Sequence, residues 1–338
     1  MLSKSIFFFF SLLVYRAASQ PSVSPSIFEL MTEQQYTKMT LLADFDDFRA
    51  NRFKEHRQAA VLEFSDRKGA KERWDIQIEV RGKYRRRICD DMPPIRLIFP
   101  KETLRKQHCK TAHRKYKLVT HCLENDGSDQ TVLKEYWAYQ MYERLSPHSF
   151  KTNLLEITYL NTADRSTTHH MGFIIENEKE LAARIGGKRA KTWGLSQDSI
   201  QQASYQNMLL FQYMIGNTDW GIPMLRNLIL VRSADNKTLA IPYDFDASGL
   251  VDAPYALPNP NLRQKDIRQR IAMGTFDDAA TLGLAAERFL VQYKQAWCFE
   301  ECTYLDRAAK KDMDDYLSAF LRLLENEKRR NKVFLERK

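Results

Sequence analysis

Residues 211–250 restrict the possible folds more than any other part of this sequence. Two apolar runs, 228–231 and 239–243, flank a polar turn at 233–237. Runs of β-type residues joined by such a turn predict a β-hairpin. We therefore expect a helix that ends before the loop carrying Asp219, followed by a hairpin whose two open ends lie side by side.

Acidic and amide side chains lie at the open end of this expected hairpin. Asp219 lies in the preceding loop, Asn227 leads into the first run, and Asp244 follows the second run. Phosphoryl transfer requires a carboxylate that orients the attacking hydroxyl, and an amide and a carboxylate that hold Mg²⁺ on the phosphates. Each residue alone is also a common turn former. The ordered set around one hairpin favours a metal-dependent site over three independent turns.

The phrase GNTDW…N…IPYDFD, within residues 216–246, resembles the active-site segment of protein-kinase-like enzymes. It is most similar to the spore coat protein H (CotH) kinase family, and HipA-type kinases are more distant. The stretches VRGKYRRR, PPIRLIF, KYKLVTH and GFIIE fit the same family, so the resemblance spans residues 60–250. It implies an α+β, two-lobed protein-kinase-like fold, with a small, mostly β N-lobe at residues 36–176 and a larger, mostly α C-lobe at residues 177–338.

The same resemblance implies roles for individual residues. Asp219 takes the place of the catalytic base, and Asn227, Asp244 and Asp246 take the places of metal ligands. The implied cofactors are ATP and Mg²⁺ or Mn²⁺, and the implied reaction is phosphate transfer to Ser or Thr of a protein substrate. The proline-punctuated loop at residues 254–261 is the expected place for the substrate peptide.

The nucleotide-binding residues that the resemblance implies are Arg96, Lys117, Glu135 and Glu176. Glu135 lies in a helix expected at 131–145 and would pair with Arg96 or Lys117, and the sequence does not decide between them. Another interpretation makes Glu135 an exposed helix residue paired with a neighbouring Lys or Arg. Glu176 ends a strand that would serve as the hinge beside the adenine ring.

Three features depart from conventional kinases. Seven residues separate Asp219 from Asn227, whereas conventional kinases have four between the corresponding residues. No His-Arg precedes Asp219, and no glycine-rich GxGxxG loop occurs in the chain. The extra residues either form a bulge that leaves the metal geometry intact or indicate that the site is degenerate. The second reading makes the chain a catalytically inactive secreted binding or scaffold protein.

The N-terminus is typical of an exported protein. Residues 1–19 combine one early Lys, an apolar stretch and small residues before a cleavage point, which predicts a signal peptide. No Cys lies near that point, so a secreted or periplasmic protein is expected rather than a lipid-anchored one. Residues 20–35 are expected to be a linker, and no later apolar run reaches the length of a transmembrane helix. We therefore expect no stable membrane insertion.

The charge of the chain is concentrated in one segment. Residues 81–117 hold thirteen Lys and Arg against three acidic residues. Such a surface attracts phosphates, nucleic acid or anionic polymers, although a merely solvated basic face remains an alternative. Aromatic residues that could stack on single-stranded bases are sparse there, so nucleic acid is not an expected partner.

Five cysteines occur in a chain whose expected destination permits disulfides. Cys89 and Cys122 flank neighbouring strand-like runs and are a plausible pair, and Cys298 and Cys302 lie four residues apart. The alternation of Ile76, Ile78 and Val80 with charged residues is the clearest strand pattern. Residues 36–52 are expected to be helical or mixed, and the final helices are expected at 276–297 and 306–330.

Overall fold

Seven strands form a closed barrel in the computed structural model, which describes residues 24–32, 36–65, 69–123, 127–296 and 301–335. They are β1 (Tyr36–Ala43), β2 (Arg57–Ser65), β3 (Lys71–Val80), β4 (Ile95–Ile98), β5 (Lys115–Val119), β6 (Thr152–Asn161) and β7 (Thr167–Ile175). Around the ring the order is β1-β2-β3-β4-β5-β7-β6. Neighbours are antiparallel except β1 and β6, whose parallel pairing closes the barrel.

The period-two pattern of β3 shows why these residues line a barrel. Successive side chains of a strand point to opposite faces, so alternate residues share an environment. Trp74, Ile76 and Ile78 are buried inside, while Asp75 and Gln77 between them face outward. Inside, Phe99 packs edge-on against Trp74, with ring centroids 5.9 Å apart. The short helices α1 (Ile27–Met31), α2 (Phe45–Ala50), α3 (Arg85–Ile88) and α4 (Lys101–Lys106) are inserted between or before these strands.

The closed barrel shows that the expected two-lobed protein-kinase-like fold is wrong. The error begins at residues 36–52, which were expected to be helical or mixed. Residues 36–43 instead form β1, in which Met39, Leu41 and Ala43 alternate toward the core. Strand β1 pairs with β2 on one side and with β6 on the other, so the sheet closes on itself. The open sheet expected for a small lobe would instead end in a strand with an unpaired edge. The chain has mixed α/β content built around a barrel.

A second core lies outside the barrel. It contains helices α5 (Ser128–Leu145), α6 (Glu178–Arg184), α7 (Gln202–Met214), α8 (Ala279–Ala296), α9 (Arg307–Glu325) and α10 (Glu327–Phe334). This core also includes a three-stranded antiparallel sheet in the order β10-β9-β8. Its strands are β8 (Gly187–Ala190), β9 (Leu228–Ser233) and β10 (Thr238–Pro242). Helix α5 packs against β7 on one side and α8 on another, so it connects the barrel to the other helices.

The hairpin expected from residues 228–243 is confirmed. Strands β9 and β10 pair antiparallel, with Ile241 opposite Ile229. Strand β8 was not expected and adds to the free edge of β9. The single helix expected at 306–330 is instead two helices, because Asn326 ends α9 and its side chain accepts the Arg329 backbone N–H at 3.0 Å to begin α10.

The plausible Cys89–Cys122 pair is confirmed as a disulfide. Cys89 and Cys122 are bonded, with Cα atoms 4.5 Å apart, and the bond ties the end of α3 to the segment after β5. Cys298 and the signal peptide expected at 1–19 lie outside the described residues. Within the segment expected as a linker, residues 27–31 form α1, and Ile27 and Phe28 are buried. Among the described helices, none has both the length and the apolar character needed to cross a bilayer.

Candidate functional site

The open end of the hairpin brings Asn227 next to the segment of Asp244. Asn227 precedes β9, and its carbonyl oxygen accepts the backbone N–H of Tyr243 at 3.0 Å. Both Asn227 and Asp244 have positive φ angles, +48° and +66°. Asn and Asp tolerate this left-handed region better than most residues, and it is a strained conformation that recurs at functional sites.

The loop of Asp219 returns directly to Asn227. The amide of Asn227 donates from Nδ2 to the backbone oxygen of Asp219 at 2.7 Å and to its carboxylate Oδ2 at 3.0 Å. Between them, Gly221 and Arg226 exchange two backbone hydrogen bonds of 2.9 and 3.0 Å. The extra residues therefore close into a small loop of their own, and the contact between Asp219 and Asn227 is kept. The insertion is therefore a bulge in its backbone, and the metal geometry that it would leave intact stays a prediction.

A glycine fixes this loop against the segment after β10. Gly216 has φ +67°, and a Cβ at this position would collide with the hydroxyl of Tyr316. Its carbonyl accepts the N–H of Gly249 at 3.2 Å, and Asn217 forms a β-bridge with Ser248. These contacts hold the residues that precede Asp219 beside the residues that follow Asp246.

Asp246 lies deeper than Asp244 and is only 8% exposed. The hydroxyl of Tyr255 donates to its Oδ2 at 3.2 Å. Burial, followed by the charge of Asp244, raises the pKa of Asp246 to about 6. The backbone N–H of Asp244 donates to the hydroxyl oxygen of Tyr139, on α5, at 2.8 Å. Two carboxylates thus lie beside each other with few protein donors, an arrangement that a cation stabilises.

Glu135 is the third carboxylate of the group. It projects from α5 and is 2% exposed, so the alternative of an exposed helix residue is wrong. Burial, with the charges of Asp246 and Asp244 next, raises the pKa of Glu135 well above its usual range. Its Oε1 is buried without a hydrogen-bond partner in the described part of the chain.

The expected partners of Glu135 make other ion pairs. Arg96 reaches Glu79 at 2.5 Å, and Lys117 lies 3.7 Å from Glu178. The cationic neighbours of Glu135 are instead Arg85 and Arg81, which oppose the rise in its pKa.

Sequence reasoning did not single out Arg81 and Arg85. Arg81 lies at the end of β3 and Arg85 begins α3, four residues later. Arg85 donates to the backbone oxygen of Thr120 at 2.8 Å, whereas the Nε atoms of both arginines are buried without a hydrogen-bond partner among the described residues. Burial is the largest influence on Arg81 and lowers the pKa of its guanidinium. The VRGKYRRR phrase contained both residues, but only the fold shows which of its cations point inward.

Lys117, on β5, lines one of two cavities near the hairpin. Its Nζ is 3.9 Å from the centre of the Tyr243 ring, and burial, followed by the charge of Arg81, lowers its pKa to about 8. One cavity, of about 440 Å³, is lined by Asp219, Asp244, Asp246 and both inward arginines. The other, of about 330 Å³, is lined by Arg96, Lys117 and Glu176. Arg96, Lys117 and Glu176 therefore line a different cavity from Asp219, Asp244 and Asp246, whereas Glu135 lies with the Asp244 and Asp246 carboxylates.

Glu176 has its carboxylate occupied within the protein. Arg184 donates to it from Nε and Nη2, each at 2.8 Å, and the Lys151 backbone N–H donates at 3.1 Å. A direct role of this side chain in holding a ligand would require these bonds to break. Arg96 is similarly engaged by its pair with Glu79.

Asp219 lies at the cavity wall, and its carboxylate is part exposed. Burial raises the pKa of Asp219, Arg226 opposes the rise, and Asp244 adds to it. A carboxylate with a raised pKa is a better proton acceptor near neutral pH. The Arg226 Nη1 lies 3.5 Å from its Oδ1.

Across the described ranges, no cluster of three or more His, Cys, Asp or Glu residues is arranged to hold a metal ion by itself. The donors at the hairpin are two carboxylates, Asp244 and Asp246, and the amide of Asn227. Mg²⁺ commonly keeps several waters and binds through one or two carboxylates together with substrate phosphates. The donor set therefore fits a metal that arrives with a phosphate ligand better than a resident metal.

Comparison with known proteins adds no family name. No family model matches the chain, and no curated protein matches it. The resemblance of GNTDW…N…IPYDFD to the CotH kinases therefore stays a prediction, to be judged on the chemistry of the cleft.

Proposed function

We propose that this protein transfers a phosphoryl group from ATP to a Ser or Thr hydroxyl of a protein, with Mg²⁺ or Mn²⁺ as cofactor. The observation that carries the proposal is the group of buried, incompletely paired charges in the cleft. Arg81 and Arg85 face Glu135, Asp244 and Asp246, and three of their buried polar atoms have no hydrogen-bond partner within the described ranges. We call this group the open cluster.

A metal–triphosphate complex would pair with both the arginines and the carboxylates of the open cluster. Leaving a buried charge unpaired is costly, so a site with incomplete pairs gains by binding what completes them. An anion alone would pair with the arginines but be repelled by the carboxylates. A cation alone would pair with the carboxylates but be repelled by the arginines. Phosphates carrying a divalent metal present both charges at once, because the metal lies on the phosphate oxygens.

Asp219 and Asn227 supply the remaining parts. Asp219 would accept the proton of the acceptor hydroxyl, and its raised pKa favours that role. The Asn227 amide donates to Asp219 through Nδ2 and so fixes the carboxylate, which leaves Oδ1 as its acceptor toward a metal. In this proposal Lys117 contacts the nucleotide between the two cavities, and the base occupies the cavity near Glu176.

We also propose that the protein acts outside the cytosol, following export through residues 1–19. The Cys89–Cys122 disulfide supports this part, because such bonds persist mainly in oxidising compartments.

A second candidate function is binding without catalysis. The contact that favours it is the approach of Arg226 to Asp219, because a nearby cation reduces the basicity of a carboxylate. The protein would then hold a nucleotide and its metal as a scaffold.

One assay separates the two candidates. Purified protein is incubated with γ-labelled ATP, Mn²⁺ and a mixture of Ser- and Thr-containing proteins, while nucleotide binding is measured in parallel. The proposed enzyme labels protein only when metal is present. Binding without any labelling would support the scaffold, and neither binding nor labelling would reject both.

A further inference from the structure

One wall of the 440 Å³ cleft is a preformed loop, residues 254–261, which contains three prolines and whose Tyr255 hydroxyl donates to Asp246 of the open cluster. Buried Gln264 holds it in place by accepting the backbone N–H of Asn259 at 2.8 Å and the hydroxyl of Thr218 at 3.1 Å. The side chain of Asn259 also donates to the Thr218 carbonyl at 3.2 Å. Because Thr218 directly precedes Asp219, the wall stands at a fixed distance from the expected base.

The upper edge of this cleft exposes large apolar side chains. Leu257, on the wall, is 70% exposed, and Tyr84, before α3, is 49% exposed. The Tyr84 hydroxyl donates to the backbone oxygen of Tyr255 at 2.8 Å, which connects the two sides of the cleft at this point. Apolar side chains exposed at the edge of a cavity gain free energy when an apolar group of a ligand covers them. We call Tyr84 and Leu257 the apolar lip.

The same edge carries exposed cations. Lys83 lines the cleft, and no carboxylate of the described residues lies within ion-pair distance of it. The Arg226 side chain is 57% exposed, and its Nη1 lies 3.5 Å from the Oδ1 of Asp219. Of the acidic residues that line the cleft, Asp244 and Asp246 would be neutralised by the proposed metal and nucleotide, and the part-exposed Asp219 pairs with Arg226. The rim that an acceptor meets is then positively charged.

We propose that the acceptor is an extended, acidic polypeptide segment. It would carry acidic side chains around its Ser or Thr and one apolar side chain that packs on the apolar lip, while Lys83 and Arg226 pair with its carboxylates. Complementary charge of this kind selects partners and accelerates their association. This inference rests on the proposed function, because it names the substrate class for the same cleft.

The test measures peptide binding separately from phosphate transfer. Two fluorescent peptides share one Leu and differ only in flanking residues, Glu in one and Lys in the other, with Ala in place of the acceptor Thr. Binding is measured by anisotropy with Mg²⁺ and a non-hydrolysable ATP analogue at low and high salt. We expect the Glu peptide to bind about tenfold more tightly than the Lys peptide and to weaken as salt rises.

Variants locate the site. Lys83→Glu is expected to weaken binding of the Glu peptide by about tenfold, and Leu257→Ser by several-fold. Lys101→Glu, an equal change of charge at the exposed start of α4, is the matched control and is expected to leave binding unchanged. Equal binding of both peptides, or an equal effect of Lys83→Glu and Lys101→Glu, would overturn the inference.

Failure of the inference is distinguishable from failure of the proposed function. Thr-containing versions of both peptides are assayed for transfer with labelled ATP. Selective binding of the Glu peptide without transfer would reject the catalytic proposal and keep the docking surface. Transfer to the Lys peptide at an equal or higher kcat/KM would keep the catalysis and reject the acidic acceptor.

Discussion

Two groups of buried charge in this protein differ in how completely they are paired. In the barrel, His121 and His170 stack with ring centroids 3.5 Å apart. Asp91 binds the Nε2 of His121 at 2.7 Å, and Asp129 binds the Nδ1 of His170 at 3.1 Å. The hydroxyl of Thr120 lies 3.0 Å from the remaining nitrogen of His121. We call these groups the closed cluster.

The open cluster has the opposite property. Oε1 of Glu135 and the Nε atoms of Arg81 and Arg85 are buried without partners in the residues that the structure describes, whereas the closed cluster contains no such atom. Burying a charge is costly wherever it is left unpaired. In the closed cluster, other side chains of the protein pair with the buried groups. We therefore assign this cluster a structural role. We propose that the open cluster binds a ligand that completes these pairs, which makes it the candidate site.

The largest expected effect is on catalysis at the open cluster. Asp219→Asn should reduce phosphate transfer by about 10²–10⁴-fold, because a positioned general base contributes this much. Nucleotide binding should persist, since Asp219 is not among the proposed metal ligands. The measurement is labelled-phosphate transfer beside nucleotide titration.

The control is Asp235→Asn, in the exposed turn of the same hairpin, where Asp235 pairs only with nearby turn residues. It should leave transfer unchanged. Transfer at the wild-type rate in Asp219→Asn would remove the proposed base.

The disulfide connects the two clusters and supplies the largest expected change in stability. Cys89 follows the helix of Arg85, and Cys122 follows His121. The bond joins residues that are 33 apart in the sequence. Removing it should lower the free energy of unfolding by about 3–4 kcal/mol, because the unfolded chain gains conformational entropy. Urea unfolding of the double Cys→Ala variant measures it. A change below about 1 kcal/mol would mean that the fold does not depend on this connection.

Paired variants should shift stability in opposite directions in the two clusters. Asp91→Asn removes a charged partner of buried His121 and should destabilise the protein by about 1.5–3 kcal/mol. Asp246→Asn relieves repulsion with Asp244 and Glu135, so without ligand it should leave stability unchanged or raise it. Thermal unfolding at neutral pH measures both. Destabilisation of equal size would show that the clusters do not differ.

The smallest expected effect is the pH dependence of the closed cluster. Burial lowers the pKa of His121, against the opposing effect of Asp91, and the charge of neighbouring His170 lowers it further. The unfolded chain therefore binds a proton near pH 6.5 before the folded protein does, so stability falls as the pH drops below that value. The hydrogen bond from His121 lowers the pKa of Asp91, which adds a further loss at lower pH.

His121→Asn should flatten the stability profile between pH 6.5 and 5, although it also lowers stability at pH 7. Unfolding midpoints across this range measure the slope. An unchanged slope would place the acid sensitivity elsewhere.

The sequence contained the local part of this picture. The hairpin followed from two β-type runs around a turn, and the Cys89–Cys122 pair followed from neighbouring strands. Barrel closure did not follow, because it depends on β1 pairing in parallel with β6 across more than a hundred residues. Such pairings leave no local signal.

The open cluster was only half visible for a similar reason. Asp244 and Asp246 directly follow the hairpin that the sequence predicts. The two arginines reach the cluster from the segment between β3 and α3, where Arg85 donates to the Thr120 backbone oxygen, and Glu135 reaches it because α5 is buried between the barrel and the helices. Both facts depend on tertiary packing. No pattern in the flanking residues distinguishes these side chains from exposed ones.

The central claim is that the open cluster requires both charges of a metal–nucleotide complex. Thermal unfolding is measured with Mg²⁺ alone, with a non-hydrolysable ATP analogue alone, and with both, in the wild type and in Asp244→Ala. Saturating ligand at about 100 times its Kd should stabilise the native state by about 2.7 kcal/mol. The account predicts a rise in Tm with both components that exceeds the sum of the separate rises, and its loss in Asp244→Ala. No rise with both components, or a full rise with the analogue in the absence of metal, would contradict it.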